Sequence, residues 1–470
     1  MAVVMVSAIA LLSSQPTSGA TRQIKIYNSA DSASVLEMFL PDNPTGRAVI
    51  DCPGGGYATL AMNHEGYDWV DFFTSRGIAF GILTYRMPHG DRNIPLSDAY
   101  NALKTVRDSA EVWHINPYDV GIMGFSAGGH LASAVSTHAP AEVRPNFSIL
   151  FYPVISMNEQ ETHRGSCEGF LGDERHDEAT VNRWSSDKAV RRHLTPPAIL
   201  LTAEDDDLVP TKTNSLRYYN AMRNAGLPCA LYIYPSGGHG FGFKPNFPYH
   251  EQMLCELSTW LQQLPTAKAD AIRVACIGNS ITDGHGIDMS SINAYPGQLQ
   301  RMLGDGYNVK NYGVGARTML NHGDHPYMQE DAWRHALAFN PNIVVIKLGT
   351  NDSKPKNWVY GNEFKADMQQ MIDSLKSLPA HPKIYLATPI TAYSREYTIN
   401  DSVITNNIIP IINQLARTNK LEIIDLHTQF NNDDNRQMLP DGIHPTMEGD
   451  RQIAGIIAKA IAPDTTNAKQ

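Results

Sequence analysis

Residues 22–264 alternate between short apolar runs and longer mixed stretches. The apolar runs lie at 47–52, 78–85, 120–124, 147–152, 198–202 and 230–234. Continuous apolar segments of this length predict strands buried on both faces, as in a parallel sheet covered by helices. Between them, residues 96–110 carry Ala99, Leu103, Val106 and Ala110 near helical spacing. A helix predicted over 249–261 meets Pro265, and the small and charged residues after it predict a linker at 265–271. The alternation then restarts, with predicted strands at 273–277, 308–312, 343–348, 383–389 and 421–425 and helices at 362–377 and 450–462. The pattern is therefore α/β twice over: one domain at 21–264, a second at 272–463, and a polar tail at 464–470. The two halves share no repeat, which argues against an internal duplication.

The candidate chemistry sits where predicted strands end. GFSAGGH, at 124–130, follows one strand and opens a helical run. That is the context of a nucleophile elbow, in which a sharp turn lifts a serine above the sheet and aims a helix N-terminus at a developing oxyanion. PGGGY at 53–57 ends an earlier strand, TAEDDDLVP at 202–210 follows a late one, and GGHGFG at 237–242 follows the last. The order Ser, Asp, His is that of α/β-hydrolases. On these residues, 22–264 resembles an α/β-hydrolase esterase of the acetyl xylan and feruloyl esterase kind, with Pro53 where a histidine often opens the oxyanion loop. The resemblance implies Ser126 as nucleophile, His239 as general base and Asp206 as the acid. Spacing alone leaves Asp205 and Asp207 open. It further implies the N–H of Ala127, with Gly55 or Gly56, as oxyanion donors.

IGNSITDG, at 277–284, also follows a strand but lacks the glycine two places after the serine. Three more blocks follow in order: NYGVGART at 311–318, GTND at 349–352 and DGIHP at 441–445. Together they resemble the four blocks of SGNH (GDSL) hydrolases, with Asn279 in place of the usual aspartate. The resemblance implies a flavodoxin-like sheet, Ser280 as nucleophile, His444 as base and Asp441 as its partner. The Ser280 N–H, the Asn351 amide and a glycine-block N–H, from Gly315 or Ala316, would serve the oxyanion. Each hydroxyl needs an imidazole to take its proton before it can attack an ester.

Composition narrows the function classes. The chain has 470 residues, a formal net charge of −10 and no basic blocks, which excludes nucleic acid and anionic membranes as natural partners. Five cysteines fit no zinc spacing. His322 and His325 stand three apart, but no cysteine or carboxylate cluster completes a ligand set, so neither metal nor cofactor is implied. Residues 1–20 pair an apolar run with Ser18, Gly19 and Ala20, the pattern of a signal peptide cut after Ala20, and imply export. His130 is expected to cap or pack within its helix. The polar segment 159–184 is expected to be either a substrate-facing cap or a solvated excursion. The combined expectation is a two-site serine carbohydrate esterase that removes acetyl groups from decorated polysaccharide, xylan first. The alternatives are a feruloyl esterase joined to an acetyl esterase, and one active domain joined to a carbohydrate-binding one.

Overall fold

The computed structural model describes residues 20–462. The expected signal segment ahead of Ala20 and the tail at 464–470 lie outside the described residues. The chain divides into two compact units between Ala269 and Asp270, inside the predicted linker.

In the first unit the strands are β1 (Ala20–Tyr27), β2 (Val35–Pro41), β3 (Ala48–Cys52), β4 (Ala79–Thr84), β5 (Val120–Phe125), β6 (Ser148–Phe151), β7 (Ala198–Ala203) and β8 (Cys229–Tyr234). Among the described residues they form one sheet in the order β1-β2-β4-β3-β5-β6-β7-β8. β3 to β8 run parallel, and β3, β5, β6 and β7 are buried along their whole length, as continuous apolar runs between two helical layers must be. β1 and β2 are antiparallel additions that the apolar-run pattern did not single out. β2 alternates half-buried with buried positions, so it carries no continuous apolar run.

Alternate residues of each strand feed opposite cores. Ile50, Ile122 and Leu200 pack with Leu103 of the helix Asn93–Asp108 and Leu131 of the helix Ser126–His138. Val49, Met123 and Ile199 face the other way, onto Phe73, Leu257 of the helix His250–Gln263 and a dense aromatic group. Trp69 is the hub of that group: it is fully buried, with Phe151 and Phe243 ring centroids at 5.0 and 4.9 Å. The predicted linker begins as part of this unit, because Arg47 bonds Thr266 Oγ1 at 2.8 Å and Asn116 bonds the Ala267 carbonyl at 2.6 Å.

The second unit contains β9 (Ile272–Gly278), β10 (Tyr307–Gly313), β11 (Ile343–Lys347), β12 (Lys383–Ala387) and β13 (Glu422–Ile424). All pairings are parallel and the order is β10-β9-β11-β12-β13. Counted within the unit this is 2-1-3-4-5, the flavodoxin-like order expected from the sequence. The helices Phe364–Lys376 and Ile409–Asn419 cover one face, and Tyr295–Leu303 and Met447–Ile461 cover the other. In such sheets, loops at the carboxyl ends of the strands form the site. Among the described residues no helix is long and apolar enough to cross a membrane.

Truncating the aromatic hub tests this layering. Trp69→Ala is expected to destabilise the first unit by about 3–5 kcal/mol, read as an earlier transition in urea unfolding of the full chain.

Two candidate active sites

β5 leads directly into the helix Ser126–His138, and Ser126 takes φ of +51° at the junction. A non-glycine residue held there costs on the order of 1–3 kcal/mol and persists only where its surroundings enforce it. They do so by contact. A Cβ on Gly124 would lie 2.3 Å from the Gly128 carbonyl oxygen, and one on Gly128 would lie 2.0 Å from that of Cys52. The turn can close only with both glycines, and it leaves the Ala127 N–H in the first turn of the helix, where it has no carbonyl to bond within the helix.

The late loops supply the rest of the row. The Ser126 hydroxyl donates to His239 Nε2 at 2.7 Å, and His239 Nδ1–H donates to Asp206 Oδ2 at 2.7 Å. Asp206 is buried, and its other oxygen accepts the N–H groups of Leu208 and Val209. The three acids left open by spacing are thereby separated. Asp207 is exposed. Asp205 turns to the histidine loop, where it accepts from Gly238 N–H at 2.8 Å and Gly237 N–H at 3.2 Å. The Gly238 bond leads in holding the Asp205 carboxyl below its usual range, against the opposing effect of burial, and the Gly237 bond adds to it.

The PGGGY loop lies beside the serine: a Cβ on Gly54 would sit 3.1 Å from Ser126 Cβ. Gly55 and Gly56 have φ of +139° and +65°, and a Cβ on Gly55 would strike the Thr59 carbonyl oxygen at 2.0 Å. The Gly54 N–H is taken by Glu65 Oε2 at 2.9 Å, so the donors this loop can turn toward an oxyanion are those of Gly55 and Gly56. Glu65 is a residue that the motifs did not indicate. Its Oε1 accepts the Tyr152 hydroxyl at 2.7 Å, and that hydroxyl accepts the Gly242 N–H at 3.0 Å. The Tyr152 ring stands edge-on to His239 at 4.9 Å. One buried carboxylate thus ties the oxyanion loop to the histidine loop. Beside it, burial first and then the Glu65 charge push the Asp51 carboxyl well above its usual range. No local pattern marks Glu65, because its partners lie 11 and 87 residues away.

His130 packs rather than caps its helix, with its ring against Tyr57 and Phe170. It is buried, with Nδ1 bonded to the Tyr57 hydroxyl at 2.8 Å and Nε2 to the Trp184 carbonyl at 2.9 Å, and burial pushes its pKa down to about 4. The segment 159–184 folds into the helices Arg164–Leu171 and Glu178–Trp184. It covers the oxyanion loop: Phe170 packs on Tyr57 at 5.2 Å, and a Cβ on Gly56 would lie 2.9 Å from the His163 ring. That favours the cap over the solvated excursion.

The second serine is presented differently. β9 ends at Gly278, and Asn279 caps the short helix Ser280–Asp283 by accepting the Ile281 N–H. Asn279 can replace an aspartate in this capping role because both offer an acceptor oxygen. The Ser280 hydroxyl donates to His444 Nε2 at 2.8 Å, and His444 Nδ1–H donates to Asp441 Oδ2 at 2.6 Å. Asp441 Oδ1 accepts the N–H groups of Ile443 and His444, so one short loop fixes acid and base together. Burial raises the Asp441 pKa, but the backbone and side-chain bonds of His444 and the Ile443 N–H outweigh it, and the carboxyl sits below its usual range. Burial lowers the His444 pKa, with His285 and Lys347 adding to it and Asp441 opposing.

The glycine block packs on this helix. A Cβ on Gly313 would lie 2.2 Å from the Asp283 nitrogen, and one on Gly315 would lie 3.7 Å from Asp283 Oδ2. Ala316 has φ of +66°, the left-handed conformation that glycine adopts at no cost. Asn351 is buried and donates one amide hydrogen to the Arg317 carbonyl at 3.1 Å, which joins the GTND and glycine blocks and leaves its second hydrogen available. His322 bonds Glu363, and among the described residues no cluster of three or more His, Cys, Asp or Glu could hold a metal.

Two measurements check these arrangements. With the second site silenced by Ser280→Ala, Asp206→Asn is expected to lower turnover about 10⁴-fold by presenting the wrong imidazole tautomer. Asp205→Asn, which keeps an acceptor oxygen for Gly237 and Gly238, should cost far less. With the first site silenced by Ser126→Ala, the kcat/KM profile should have its acid limb below pH 6.5, the ordinary histidine value. The base works unprotonated, and burial disfavours its charged form, so activity should persist to lower pH than a free imidazole allows.

Comparison with known proteins agrees with both halves. Residues 276–452 match the profile of the GDSL-like Lipase/Acylhydrolase family, and residues 83–243 match that of the alpha/beta hydrolase fold. Over 451 residues, 92% of this chain and 94% of the relative, the sequence is 56% identical to an acetylxylan esterase of Xylanibacter ruminicola. Over 203 residues, 40% of this chain and 31% of the relative, it is 34% identical to endo-1,4-beta-xylanase B of Butyrivibrio fibrisolvens. Among solved structures, an acetyl ester-xyloside bifunctional hydrolase from Caldicellulosiruptor lactoaceticus is 30% identical and matches 52% of this chain and 96% of its own, with a TM-score of 0.47. The chain is a carboxylic ester hydrolase with an α/β-hydrolase segment and a GDSL segment, and it belongs to the family of the Xylanibacter ruminicola acetylxylan esterase.

Proposed function

We propose that this protein removes O-acetyl groups from xylan and its oligosaccharides at two separate sites, with Ser126 and Ser280 as the nucleophiles. The observation that carries this reading is the presence of two complete Ser–His–Asp rows, with every link between 2.6 and 2.8 Å, in a chain 56% identical to an acetylxylan esterase along nearly its whole length.

The same chemistry runs at each site. The serine oxygen attacks the acetyl carbonyl while His239 or His444 takes the hydroxyl proton. Asp206 or Asp441 holds the imidazole in the required tautomer and stabilises the imidazolium. The carbonyl oxygen becomes an oxyanion, met at the first site by the N–H of Ala127 with Gly55 or Gly56. At the second it is met by the N–H of Ser280, a glycine-block N–H from Gly315 or Ala316, and the Asn351 amide. Each such donor is worth about 10²–10³ in turnover. The imidazolium returns its proton to the departing sugar oxygen, leaving an acetyl-serine. Water, deprotonated by the same histidine, then releases acetate.

Two pockets built from different folds can accept acetyl groups at different positions on the sugar. Sharing one chain raises the local concentration of each site on a single polymer. A polymeric substrate also accords with export, which the pattern at 1–20 supports. The test is to digest acetylated xylan with Ser126→Ala and Ser280→Ala and to resolve the products by acetyl position. Each variant is expected to lose a different subset of products, and a fluorophosphonate should label both serines in the parent. Loss of the same products by both variants would overturn the division of labour.

A further inference from the structure

The loop after β12 holds a feature that the hydrolytic row does not use. Tyr397 is 51% exposed, yet its ring stands T-shaped against His444 with centroids 5.7 Å apart and planes at 72°. His285, also exposed, lies against the same imidazole at 4.4 Å. Its backbone N–H bonds the Ser280 carbonyl at 2.9 Å, so its position is set by the serine helix. An exposed tyrosine normally gains by burying its ring or turning away, and this one is kept in place at some expense. Tyr397 has φ of +54° and Thr398 has φ of +61°. Two consecutive non-glycine residues in the left-handed region, one of them β-branched, form a strained pair that only the surrounding structure can enforce.

That surrounding structure is the loop of the acid and base. The Ser394 hydroxyl donates to the Asp441 carbonyl at 2.6 Å, and the Tyr393 N–H donates to the Gly442 carbonyl at 2.8 Å. Gly442 sits so close that a Cβ there would lie 2.7 Å from Ser394 Cβ. On the far side, the Asn400 N–H donates to Ser353 Oγ at 3.0 Å, just beyond Asn351. The Tyr397 segment is therefore strung between two blocks of the site and is bonded to both. A strained, exposed aromatic fixed beside a base is a preorganised contact surface for whatever brings the ester to Ser280.

We infer that Tyr397 is a sugar platform of the second site: the pyranose ring bearing the acetyl group stacks on its exposed face, and His285 hydrogen-bonds a ring hydroxyl. The chemistry is complementary. A pyranose chair presents a flat patch of C–H groups, which carry partial positive charge, and the face of an aromatic ring is negative. Xylose has no exocyclic carbon to lift it off the ring. The contact is made equally in ground and transition states, so it acts on binding rather than turnover.

The inference rests on the proposed action of this site on sugar esters, and the experiment separates the two. In a full-length Ser126→Ala parent, kinetics are measured on acetylated xylo-oligosaccharide and on ethyl acetate, both by proton release. Ethyl acetate has no ring, whereas a chromogenic aryl ester would itself stack on Tyr397. Tyr397→Ala is expected to raise KM for the oligosaccharide about 5- to 10-fold, with kcat and all ethyl acetate parameters held. Tyr397→Phe should restore the KM, and the rate of Ser280 labelling by a fluorophosphonate should not change in either variant. An unchanged oligosaccharide KM in Tyr397→Ala, or equal losses on both substrates that Tyr397→Phe does not repair, overturns the platform alone. A parent that cleaves ethyl acetate but not the oligosaccharide overturns the functional reading and the platform with it.

Discussion

In each half of this chain an imidazole is held by a carboxylate on one nitrogen and offers the other to a serine hydroxyl. Everything else in the structure serves that alignment. The serine and histidine are 113 residues apart in the first unit and 164 in the second, so no local propensity can bring them together. A parallel sheet can, because it gathers the carboxyl ends of all its strands along one edge and places the following loops side by side. The largely buried strands β3, β5, β7, β9 and β11 are the rigid frame. The segments after them carry the serines, Asp206 and oxyanion donors, while His239 follows β8 and Asp441 and His444 lie beyond β13.

The two units reach the same alignment by different physical means. The first stores strain at Ser126 and removes every Cβ that would oppose the turn, so the nucleophile is set by backbone geometry. The second relaxes the serine and caps its helix with Asn279, and the left-handed backbone falls instead on Ala316 in the neighbouring block. The acids differ too. Asp206 is buried and is bonded by backbone N–H groups from its own loop, whereas Asp441 stays partly open and lies three positions before its base in one short turn. The first arrangement couples distant loops, and Glu65 provides that coupling by gripping the oxyanion loop and, through Tyr152, the histidine loop. The second is nearly self-contained, which leaves room beside His444 for exposed rings.

Electrostatics follow from this division. His130 lies behind the first site, neutral because it is buried, and joins the oxyanion loop to the covering segment at 159–184. Asp51 is likewise pushed toward its neutral form, by burial first and then by the neighbouring Glu65. In the second unit burial holds His444 toward the form that accepts a proton.

Much of this was readable along the chain. The apolar runs marked both parallel sheets, because a strand covered on two faces must be apolar throughout. The order of the Ser, Asp and His motifs singled out the side chains that the fold brings into two rows, because a motif at a strand end has few places to go. The antiparallel pair β1 and β2 was not legible, since a strand buried on one face needs only alternate apolar residues. The choice of Asp206 over Asp205 and Asp207 was decided by the tertiary structure, through the direction each carboxylate faces once the loop closes on His239. The roles of Glu65, Tyr152 and Tyr397 were decided there as well. A buried charge or a ring beside a base takes its meaning from partners far along the chain, and only packing determines which ones they are.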